Sequence, residues 1–594
     1  MKRTFFIFSL LLVVSLAVFA GGDKEEMQEE KVLHRYSVAK LQPFDPTQIS
    51  DLYTHTVYGD IGENLYRYKY LADTYQLEPC IALEMPKVSA DGLTYTIKLR
   101  KDAYFYDPLK EVFPEGKGRA VNAHDFIFSI MRNADPSTQS NGWWLFEGFI
   151  EGLDAWGENP DYSKEVSGLK ALDDYTIQLK LTKPYPQILY TLAMSFTYPV
   201  PKELIDFYGD EWVNYPIGTG PYYYNHDESI VGTQHVLDKN PAWHGEVFPA
   251  ASTAGSEVKS IIGADVLAEY EGKKLPFCSR VIYYVIEESS VQWLKFMNGE
   301  LDYSGIPKDN FSTAVVNNVL VPDMAEKGID MRIYPSLDIT WTHVNMDDPI
   351  LGTNRKLRQA LSMAYDREKL IEIFYNGRAL PAQTIVPPGL DGYDPEYVNP
   401  YNQYNVAKAK QLLAEAGYPG GEGLPVFQRQ LYSGSSTVRQ FFEYLRDSWA
   451  AIGVQVEAIP GDWPTYMERT DNGEVQVGGH AWGADYPDAQ NFLQLMYGPN
   501  KSPGPNCANY DNPEFNALYE KGAFMQQSPE RTAIYEKAAQ LGAEDCAYMF
   551  GVHRLNYYLV NPWLITRVYR DIGAGYSMYY DVDTAMRTEM TGVE

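Results

Sequence analysis

The stretch His-Ala-Trp-Gly-Ala-Asp-Tyr-Pro-Asp at residues 480–488 holds a carboxylate between aromatic side chains. Asp485 follows Trp482 by three residues and directly precedes Tyr486. The preceding run, residues 475–479, has the composition of a buried strand that opens into a loop. Because aromatic rings exclude water, a charge-assisted hydrogen bond from a small cation to Asp485 would be strengthened there. The same residues suit a turn or a helix cap, so this stretch alone leaves binding and capping both open.

No recognisable catalytic constellation accompanies this aspartate. The nine histidines are scattered and form no H-E-x-x-H motif. The chain has neither a G-x-S-x-G nucleophile elbow nor a G-x-x-x-x-G-K-[ST] phosphate loop. The glycine-rich run at residues 218–222 contains a proline and lacks the lysine, which indicates a tight turn. The sequence therefore predicts no enzyme, no metal and no cofactor, although an exported hydrolase with a dispersed active site stays open.

Composition narrows the class of partner. With 594 residues the chain is too long for one compact core, and two to four domains are expected. The formal charge of −29 repels nucleic acid and anionic membrane surfaces, so neither is expected as a partner. The 47 tyrosines and 11 tryptophans offer flat apolar faces with a polar handle, which suit small ligands.

The N-terminus has the features of a secretion signal. Two basic residues precede a mostly apolar run at residues 5–19, and a small-residue cleavage site ends at Ala20. We predict a signal peptide over residues 1–20 and a disordered acidic leader over 21–32, with a noncleaved anchor as the alternative. No cysteine follows the cut and no later segment could span a bilayer, so the mature chain is expected in the periplasm without membrane insertion.

The four cysteines are Cys80, Cys278, Cys507 and Cys546. An oxidising compartment permits disulfides, and four cysteines allow three pairings among which the sequence does not choose. No C-x-x-C spacing occurs, which argues against a zinc or redox site.

Hydrophobic periodicity predicts a mixed α/β chain. Tyr95, Ile97 and Leu99 alternate with polar residues, and the pattern recurs at residues 175–181, which predicts an antiparallel sheet within 81–196. Three apolar stripes with helical spacing follow later in the chain. A glycine and a predicted strand come directly after the third stripe, and this succession of helix, glycine and strand is typical of α/β sheets. The predicted helices and this strand cover residues 357–364, 409–416, 441–452 and 454–458.

Several segments in a fixed order resemble one family, the large extracytoplasmic solute-binding proteins of ABC importers (family 5, oligopeptide- and dipeptide-binding). Their order and spacing cover most of residues 33–560, which makes the resemblance far more specific than any single motif. The segments are residues 81–126, 218–222, 298–302, 358–367 with 387–389, 407–417, and 452–454 with 480–488.

The resemblance implies a two-lobed periplasmic-binding-protein fold of the class II type with an inserted domain. Lobe I would combine 33–80, 197–337 and 554–594, the inserted domain would span 81–196, and lobe II would span 338–553. The chain would cross twice between the lobes, and these crossings would act as hinges.

The function implied is that of a monomeric substrate-binding protein. It would capture peptides, oligopeptides above all, between the lobes and deliver them to the permease subunits of an ABC importer. An oligosaccharide binder of the same family is the first alternative, and a nickel-chelate binder is a weaker one. Outside transport, an exported hydrolase and a chemoreceptor-linked or chaperone-like binder remain.

Site roles follow from the resemblance residue by residue. Asp485 matches an aspartate that binds the free α-amino group of the peptide, with Trp482 and Tyr486 beside it. Trp463 matches a pocket tryptophan, although packing within its own lobe suits it equally. Arg429 aligns approximately with an arginine that holds the ligand carboxylate, a task that its planar fork fits.

Two further aromatic residues complete the predicted site. Trp143 and Trp144 lie near the position where family members present an aromatic side chain from the other lobe. Core packing is the alternative for one of this pair.

Overall fold

The computed structural model describes residues 30–49, 51–434 and 436–592. The predicted signal peptide, and the leader up to residue 29, lie outside the described residues. Within the described part of the chain, no helix is both long enough and apolar enough to cross a membrane.

The strands are short, and most of them belong to four sheets of four or five strands. In chain order they are β1 (Val32–Ser37), β2 (Tyr66–Tyr68), β3 (Leu77–Pro79), β4 (Lys87–Val88), β5 (Thr94–Lys98), β6 (Tyr104–Tyr106), β7 (Lys117–Ala120), β8 (Leu169–Asp173), β9 (Thr176–Lys180), β10 (Tyr222–Tyr224), β11 (Gln234–Lys239), β12 (Arg280–Val285), β13 (Tyr303–Gly305), β14 (Val315–Val316), β15 (Val319–Leu320), β16 (Asp330–Pro335), β17 (Asp338–Val344), β18 (Ala379–Pro381), β19 (Phe427–Gln430), β20 (Val456–Ile459), β21 (Val477–Gly483), β22 (Tyr548–Phe550) and β23 (Val552–Val560).

The helices are longest in the second half of the chain. They are α1 (Leu52–Ile61), α2 (Ala123–Ala134), α3 (Leu153–Gly157), α4 (Ile188–Thr191), α5 (Lys202–Tyr208), α6 (Ser256–Ile262), α7 (Ala264–Tyr270), α8 (Ser289–Met297), α9 (Phe311–Ala314), α10 (Pro322–Ala325), α11 (Arg355–Met363), α12 (Arg367–Tyr375), α13 (Val406–Glu415), α14 (Ser436–Ala450), α15 (Trp463–Asp471), α16 (Gln490–Leu493), α17 (Pro513–Ala523), α18 (Pro529–Asp545) and α19 (Thr584–Thr591).

Lobe I is built on two sheets, in the orders β1-β12-β11-β10 and β13-β23-β16, whereas β18 of lobe II pairs with the start of β23 at residues 552–554. The N-terminal strand β1 pairs in parallel with β12, which lies far along the chain, and so ties the start of the described chain into the sheet. The inserted domain carries the antiparallel sheet β4-β5-β9-β8. The antiparallel sheet predicted from alternation within residues 81–196 is therefore present, because the apolar residues of β5 and β9 share one buried face with α2.

Lobe II is built on the five-stranded sheet β20-β19-β21-β17-β22. The apolar stripes of α11, α13 and α14 bury one face of this sheet, and α16, α17 and α18 bury the other. Helices α11, α13 and α14 overlap the three predicted stripes. Helix α13 ends just before Gly417, whose φ of +95° is accessible chiefly to glycine. The α/β prediction is confirmed, whereas the predicted domain boundaries stay a prediction.

Two adjacent segments carry the chain between the lobes. One joins β16 to β17 and the other joins β22 to β23. Ser336 donates its backbone N–H to the Arg554 carbonyl at 2.9 Å, and the Arg554 Nε lies 2.5 Å from an Asp338 carboxylate oxygen. The two crossings therefore form a single bonded pair, which is the arrangement expected of a hinge.

All four cysteines are free thiols. Cys80, Cys278 and Cys546 are buried, and Cys507 is half-buried. The pairing that the sequence left open is thus absent from this structure.

Candidate ligand-binding cavity between the lobes

Strand β21 positions the motif at residues 480–488. It lies inside the lobe II sheet, antiparallel to β17, with Trp341 opposite His480 and Ile339 opposite Trp482. The strand runs on through Gly483, whereas the sequence predicted a loop from about residue 480. The three glycines of β21, at positions 478, 479 and 483, weaken the sequence signal of a strand, but pairing with β17 supplies the missing stability.

Asn491 fixes the orientation of the Asp485 carboxylate. The Asn491 side-chain amide donates to Asp485 Oδ2 at 2.8 Å, and its carbonyl accepts the Asp485 backbone N–H at 3.0 Å. The same carbonyl accepts Trp482 Nε1 at 3.1 Å. One fully buried amide therefore holds the carboxylate and the indole in a fixed relation. The sequence analysis missed Asn491, since a polar residue six positions downstream gives no signal of its own.

Asp485 has no cationic partner in the described part of the chain, where no Lys, Arg or His nitrogen lies within 4 Å. Burial raises the pKa of this carboxyl from 3.8 to about 6, and the hydrogen bond from Asn491 opposes the rise only partly. An oriented and desolvated carboxylate of this kind gains from a ligand cation that enters beside it.

Asp488, at the end of the same motif, is paired and structural. Arg531 Nη2 lies 2.9 Å from both Asp488 carboxylate oxygens, and each side chain of the pair is only 3% exposed. Asp488 Oδ1 also accepts the Gln490 backbone N–H at 2.9 Å. Asp488 therefore stabilises the turn before α16, and α16 itself has no side-chain cap.

Replacing Arg531 with methionine is expected to destabilise the protein by about 3–5 kcal/mol, because it leaves Asp488 buried without a partner. Chemical denaturation followed by circular dichroism measures this loss. The matched control is Lys521→Met, which breaks the exposed 3.1 Å pair with Glu530 and should cost about 1 kcal/mol or less. Equal losses for both variants would contradict the structural role.

The inserted domain covers the motif from the other side. The rings of Tyr190 and Tyr486 stack with centroids 6.0 Å apart and planes at 9°. Tyr185 lines the same cavity as Tyr486. Gln527 Nε2 donates to the Tyr190 hydroxyl at 3.1 Å. Tyr486 is 1% exposed because this contact between the inserted domain and lobe II buries it. Neither Tyr185 nor Tyr190 carried a signal in the sequence.

A cavity of about 680 Å³, here called the interlobe cavity, lies between the inserted domain and lobe II. Trp144, Trp482 and Tyr486 line it, as do Tyr185 and Tyr466. Trp144 is 39% exposed, whereas Trp143 is half-buried and packs on the core of the inserted domain. Asp485 sits between two of the lining residues, Trp482 and Tyr486.

Arg429 and Trp463 lie in a second cavity of about 430 Å³, here called the lobe II cavity. Its walls belong to lobe II except for Arg554, which lies at a crossing between the lobes. Trp341 and His480 line both cavities. The Trp463 ring, 45% exposed, stacks on His480 with centroids 5.1 Å apart. The structure thus places Trp144, Trp482 and Tyr486 on the wall of the interlobe cavity and Arg429 and Trp463 in the neighbouring lobe II cavity. Asp485 lines neither cavity and is held beside Trp482 through Asn491.

Among the described residues, no carboxylate oxygen lies within 4 Å of the Arg429 guanidinium. Its Nη1 is buried without a hydrogen-bond partner, and burial lowers the pKa of the guanidinium. A Cβ on Gly479 would lie 1.9 Å from Arg429 Nη2, so the glycine makes room for the guanidinium. A buried cation with a free donor fits a ligand carboxylate.

Three other groups could approach a cation, namely Glu63, His244 and Glu246, whose ligand atoms lie within 4.8 Å of one another. Arg67 Nη2 already lies 2.5 Å from Glu246 Oε2, and Arg100 Nη1 lies 3.1 Å from His244 Nε2. Two guanidinium groups therefore supply the positive charge that a metal would bring.

This architecture, with oriented and unpaired charged groups between and beside two lobes, defines a two-lobed α/β binding protein. Residues 76–504 match the family described as "Bacterial extracellular solute-binding proteins, family 5 Middle", so the chain belongs to that family. The family resemblance and the two-lobed fold class predicted from the sequence are confirmed.

The relatives span nearly the same length. The periplasmic oligopeptide-binding protein OppA of Escherichia coli strain K12 is 26% identical over 91% of this chain and 90% of its own. Heme-binding protein A of Haemophilus influenzae is 25% identical over 85% and 84%. Among solved structures, HbpA2 from Haemophilus parasuis superimposes with a TM-score of 0.71 at 22% identity over 93% of this chain and 99% of its own. DppA from Helicobacter pylori in complex with the peptide STSA gives 0.69 at 24% identity over 93% and 98%.

Proposed function

We propose that this protein captures peptides outside the cytoplasm and delivers them to the permease subunits of an ABC importer, without turning them over. The observation that carries the proposal is that two side chains of opposite charge each lack an oppositely charged partner among the described residues. Within the described part of the chain, Asp485 has no cation and Arg429 no anion within 4 Å, and burial shifts the pKa of each towards its neutral form. A peptide with free termini supplies both missing charges. The names of relatives, oligopeptide- and dipeptide-binding proteins, support the same ligand class.

The two charged groups lie near β21, with Arg429 on the neighbouring strand β19 and Asp485 two residues beyond the end of β21. Arg429 reaches over Gly479, and the chain stays extended to Ala484, whose N–H donates to the Leu337 carbonyl at 2.8 Å. Five extended residues at about 3.4 Å each span about 17 Å. An extended peptide covers about 3.3–3.6 Å per residue, so four to six residues would be needed to reach both groups. We therefore expect oligopeptides rather than dipeptides to be the ligands held at both ends.

Small residues of β21 leave room for the main chain of a ligand between the two charged groups. Side chains alternate across β21, so Gly479, Ala481 and Gly483 share the face that carries Arg429. Gly483 is exposed, and its missing side chain would meet nothing within 4 Å. The bulky side chains of β21 alternate with these small residues: Trp482 lines the interlobe cavity, and His480 lines both cavities. A peptide main chain can therefore approach β21 without displacing side chains.

Closure of the lobes would trap the ligand. The stacking of Tyr190 on Tyr486 and the hydrogen bond from Gln527 to Tyr190 form only when the inserted domain meets lobe II. A ligand that contacts both sides shifts the open–closed equilibrium toward this state, and the closed form would dock on the permease. We further propose export through the segment at residues 1–20, cleavage near Ala20, and a monomeric mature protein.

An oligosaccharide is the second candidate ligand. The observation that favours it is the exposed ring area of Trp144 and Trp463, on which sugar faces could stack. Sugars carry no charge to satisfy Asp485 and Arg429, which is why the peptide is preferred.

A thermal-shift screen separates these candidates. A peptide library should raise the melting temperature, because a ligand that binds only the folded protein stabilises it. A shift with cello- or xylo-oligosaccharides and none with any peptide would refute the peptide assignment. Mass spectrometry of ligand that co-purifies with the protein identifies the natural ligand, and recovery of intact peptide after long incubation tests the absence of turnover.

The affinity for peptides with a free amino terminus should fall about tenfold from pH 7 to pH 5. Because the pKa of Asp485 is about 6, its carboxylate takes up a proton in this window and no longer attracts an ammonium group. His480 and His553 do not interfere, since burial lowers the pKa of each to about 4. Isothermal titration calorimetry across this range measures the effect. N-acetylated peptides should show a flat profile, and a tenfold fall for them too would remove Asp485 from the explanation.

A further inference from the structure

A second buried guanidinium without an anion lies in lobe I, far along the chain from the peptide-binding motif. Arg567 is 3% exposed, and its Nε and Nη1 have no hydrogen-bond partner. No carboxylate of the described residues lies within 4 Å of it. Burying a charged group without a partner costs several kcal/mol, so this arrangement calls for a compensating group.

Aromatic rings supply part of that compensation. The Arg567 Cζ lies 3.9 Å from the centroid of the Tyr303 ring and 5.0 Å from that of Tyr558. A desolvated cation–π contact offsets only part of the desolvation penalty of a buried ion. The ring faces also leave the two donor groups unsatisfied, because they accept no in-plane hydrogen bond from Nε or Nη1.

Arg567 lines a cavity of about 120 Å³ together with two other arginines, Arg35 and Arg570. This volume equals that of about four water molecules at about 30 Å³ each, enough for one small oxyanion and too small for a peptide. The cavity shares no lining residue with the interlobe cavity or the lobe II cavity. It is therefore a separate site on the described chain.

Positive charge is in excess around this cavity. Arg35 lies 3.8 Å from Asp60, but both Asp60 oxygens also accept hydrogen bonds from Ser577. Arg570 donates to the carbonyls of Tyr70 and Ala72, which bind its protons without neutralising its charge.

One acid lines the cavity itself. Asp571 accepts the Tyr569 hydroxyl and, at 2.9 Å, the Leu337 backbone N–H. Burial raises the pKa of its carboxyl. Three guanidinium groups therefore face two carboxylates, those of Asp60 and Asp571.

We propose that this cavity binds a small oxyanion group, phosphate, sulfate or carboxylate, with Arg567 as its principal donor. The planar guanidinium presents adjacent N–H groups in the geometry that two oxygens of such a group accept. The protein as a whole carries a formal charge of −29, so anions have no general attraction to its surface. Saturable anion binding would therefore indicate a specific anion-binding site. The proposal stands independently of the peptide function.

Equilibrium dialysis with radiolabelled inorganic phosphate on the full mature chain tests the proposal. We expect one saturable site, competed by sulfate at constant ionic strength, and at least tenfold weaker binding in Arg567→Gln. The matched control is Lys259→Gln, which removes one positive charge from the exposed surface of α6 in the same lobe and should leave binding unchanged. Equal loss in both variants, or no saturable binding to the wild-type protein, would overturn the proposal.

A selenate-soaked crystal of the wild-type protein removes any dependence on the folding of the variant. An anomalous peak within hydrogen-bond distance of Arg567 Nη1 supports the site, whereas water alone at that position refutes it. The source of the group is distinguished by adding peptides to the dialysis. Displacement of phosphate by a peptide with a free carboxyl terminus, and not by its amide, identifies a ligand carboxylate, and no displacement by either identifies a free ion.

Discussion

Replacing Asp485 with asparagine is expected to weaken the binding of peptides with a free amino terminus by about 30-fold to about 1000-fold. The substitution keeps the size of the side chain and its contact with Asn491, but it removes the negative charge that faces the ligand ammonium group. Losing one partner of a desolvated charge pair costs about 2–4 kcal/mol, which corresponds to that range. Isothermal titration calorimetry with one peptide in its free and N-acetylated forms measures the difference.

The same variant should stabilise the ligand-free protein. The pKa of Asp485 is about 6 in the folded protein and 3.8 in the reference state, so the ionised carboxylate disfavours folding above pH 6. This penalty diminishes as the pH falls from 6 towards 3.8. At 1.36 kcal/mol per pKa unit its upper limit is about 3 kcal/mol, and we expect about 1–2 kcal/mol because the side chain keeps some contact with water. Asparagine removes the penalty.

Asp471→Asn is the matched control for both effects. Asp471 also lines the interlobe cavity, but it is exposed and takes no part in the hydrogen bonds by which Asn491 holds Asp485. It should change neither peptide affinity nor melting temperature by more than a small amount. Equal losses of affinity for free and N-acetylated peptides in Asp485→Asn would show that this carboxylate does not hold the amino terminus.

Local patterns in the sequence account for much of the fold. The alternation around Ile97 predicts β5, and the stripe around Leu361 predicts α11, because burial of one face fixes both elements. The full length of β21 cannot be predicted from local patterns. Its glycines lower strand propensity, and only pairing with β17, more than 130 residues earlier in the chain, holds it extended.

The site was predictable only as separate residues. Asp485 and Trp482 are neighbours in sequence, so their association follows from the motif itself. The cover by Tyr185 and Tyr190 comes from a different domain about 300 residues away, and no local pattern encodes such a contact. The small residues at alternate positions of β21 were a usable signal, since Gly479, Ala481 and Gly483 mark one face that a backbone can approach.

Arg429→Gln is expected to weaken the binding of peptides with a free carboxyl terminus by about 30-fold or more. The binding of the corresponding peptide amides should be nearly unaffected. The guanidinium is buried beside Gly479, its Nη1 lacks a partner, and a ligand carboxylate would satisfy it. A buried charged hydrogen bond of this kind contributes about 2–4 kcal/mol. Affinities of one peptide and its amide for both proteins, measured by calorimetry, give the coupling directly.

Gly479→Ala provides a second route to the same result without touching the charge. The new Cβ would lie 1.9 Å from Arg429 Nη2, so the flexible end of the arginine must move while the strand stays in place. We expect normal thermal stability together with the selective loss of affinity for free carboxylates. Gly483→Ala is its matched control, because a Cβ there meets nothing within 4 Å. If Gly479→Ala binds free acids and amides with unchanged preference, Arg429 does not hold the carboxyl end. The span of about 17 Å along β21 would then set no lower limit on peptide length.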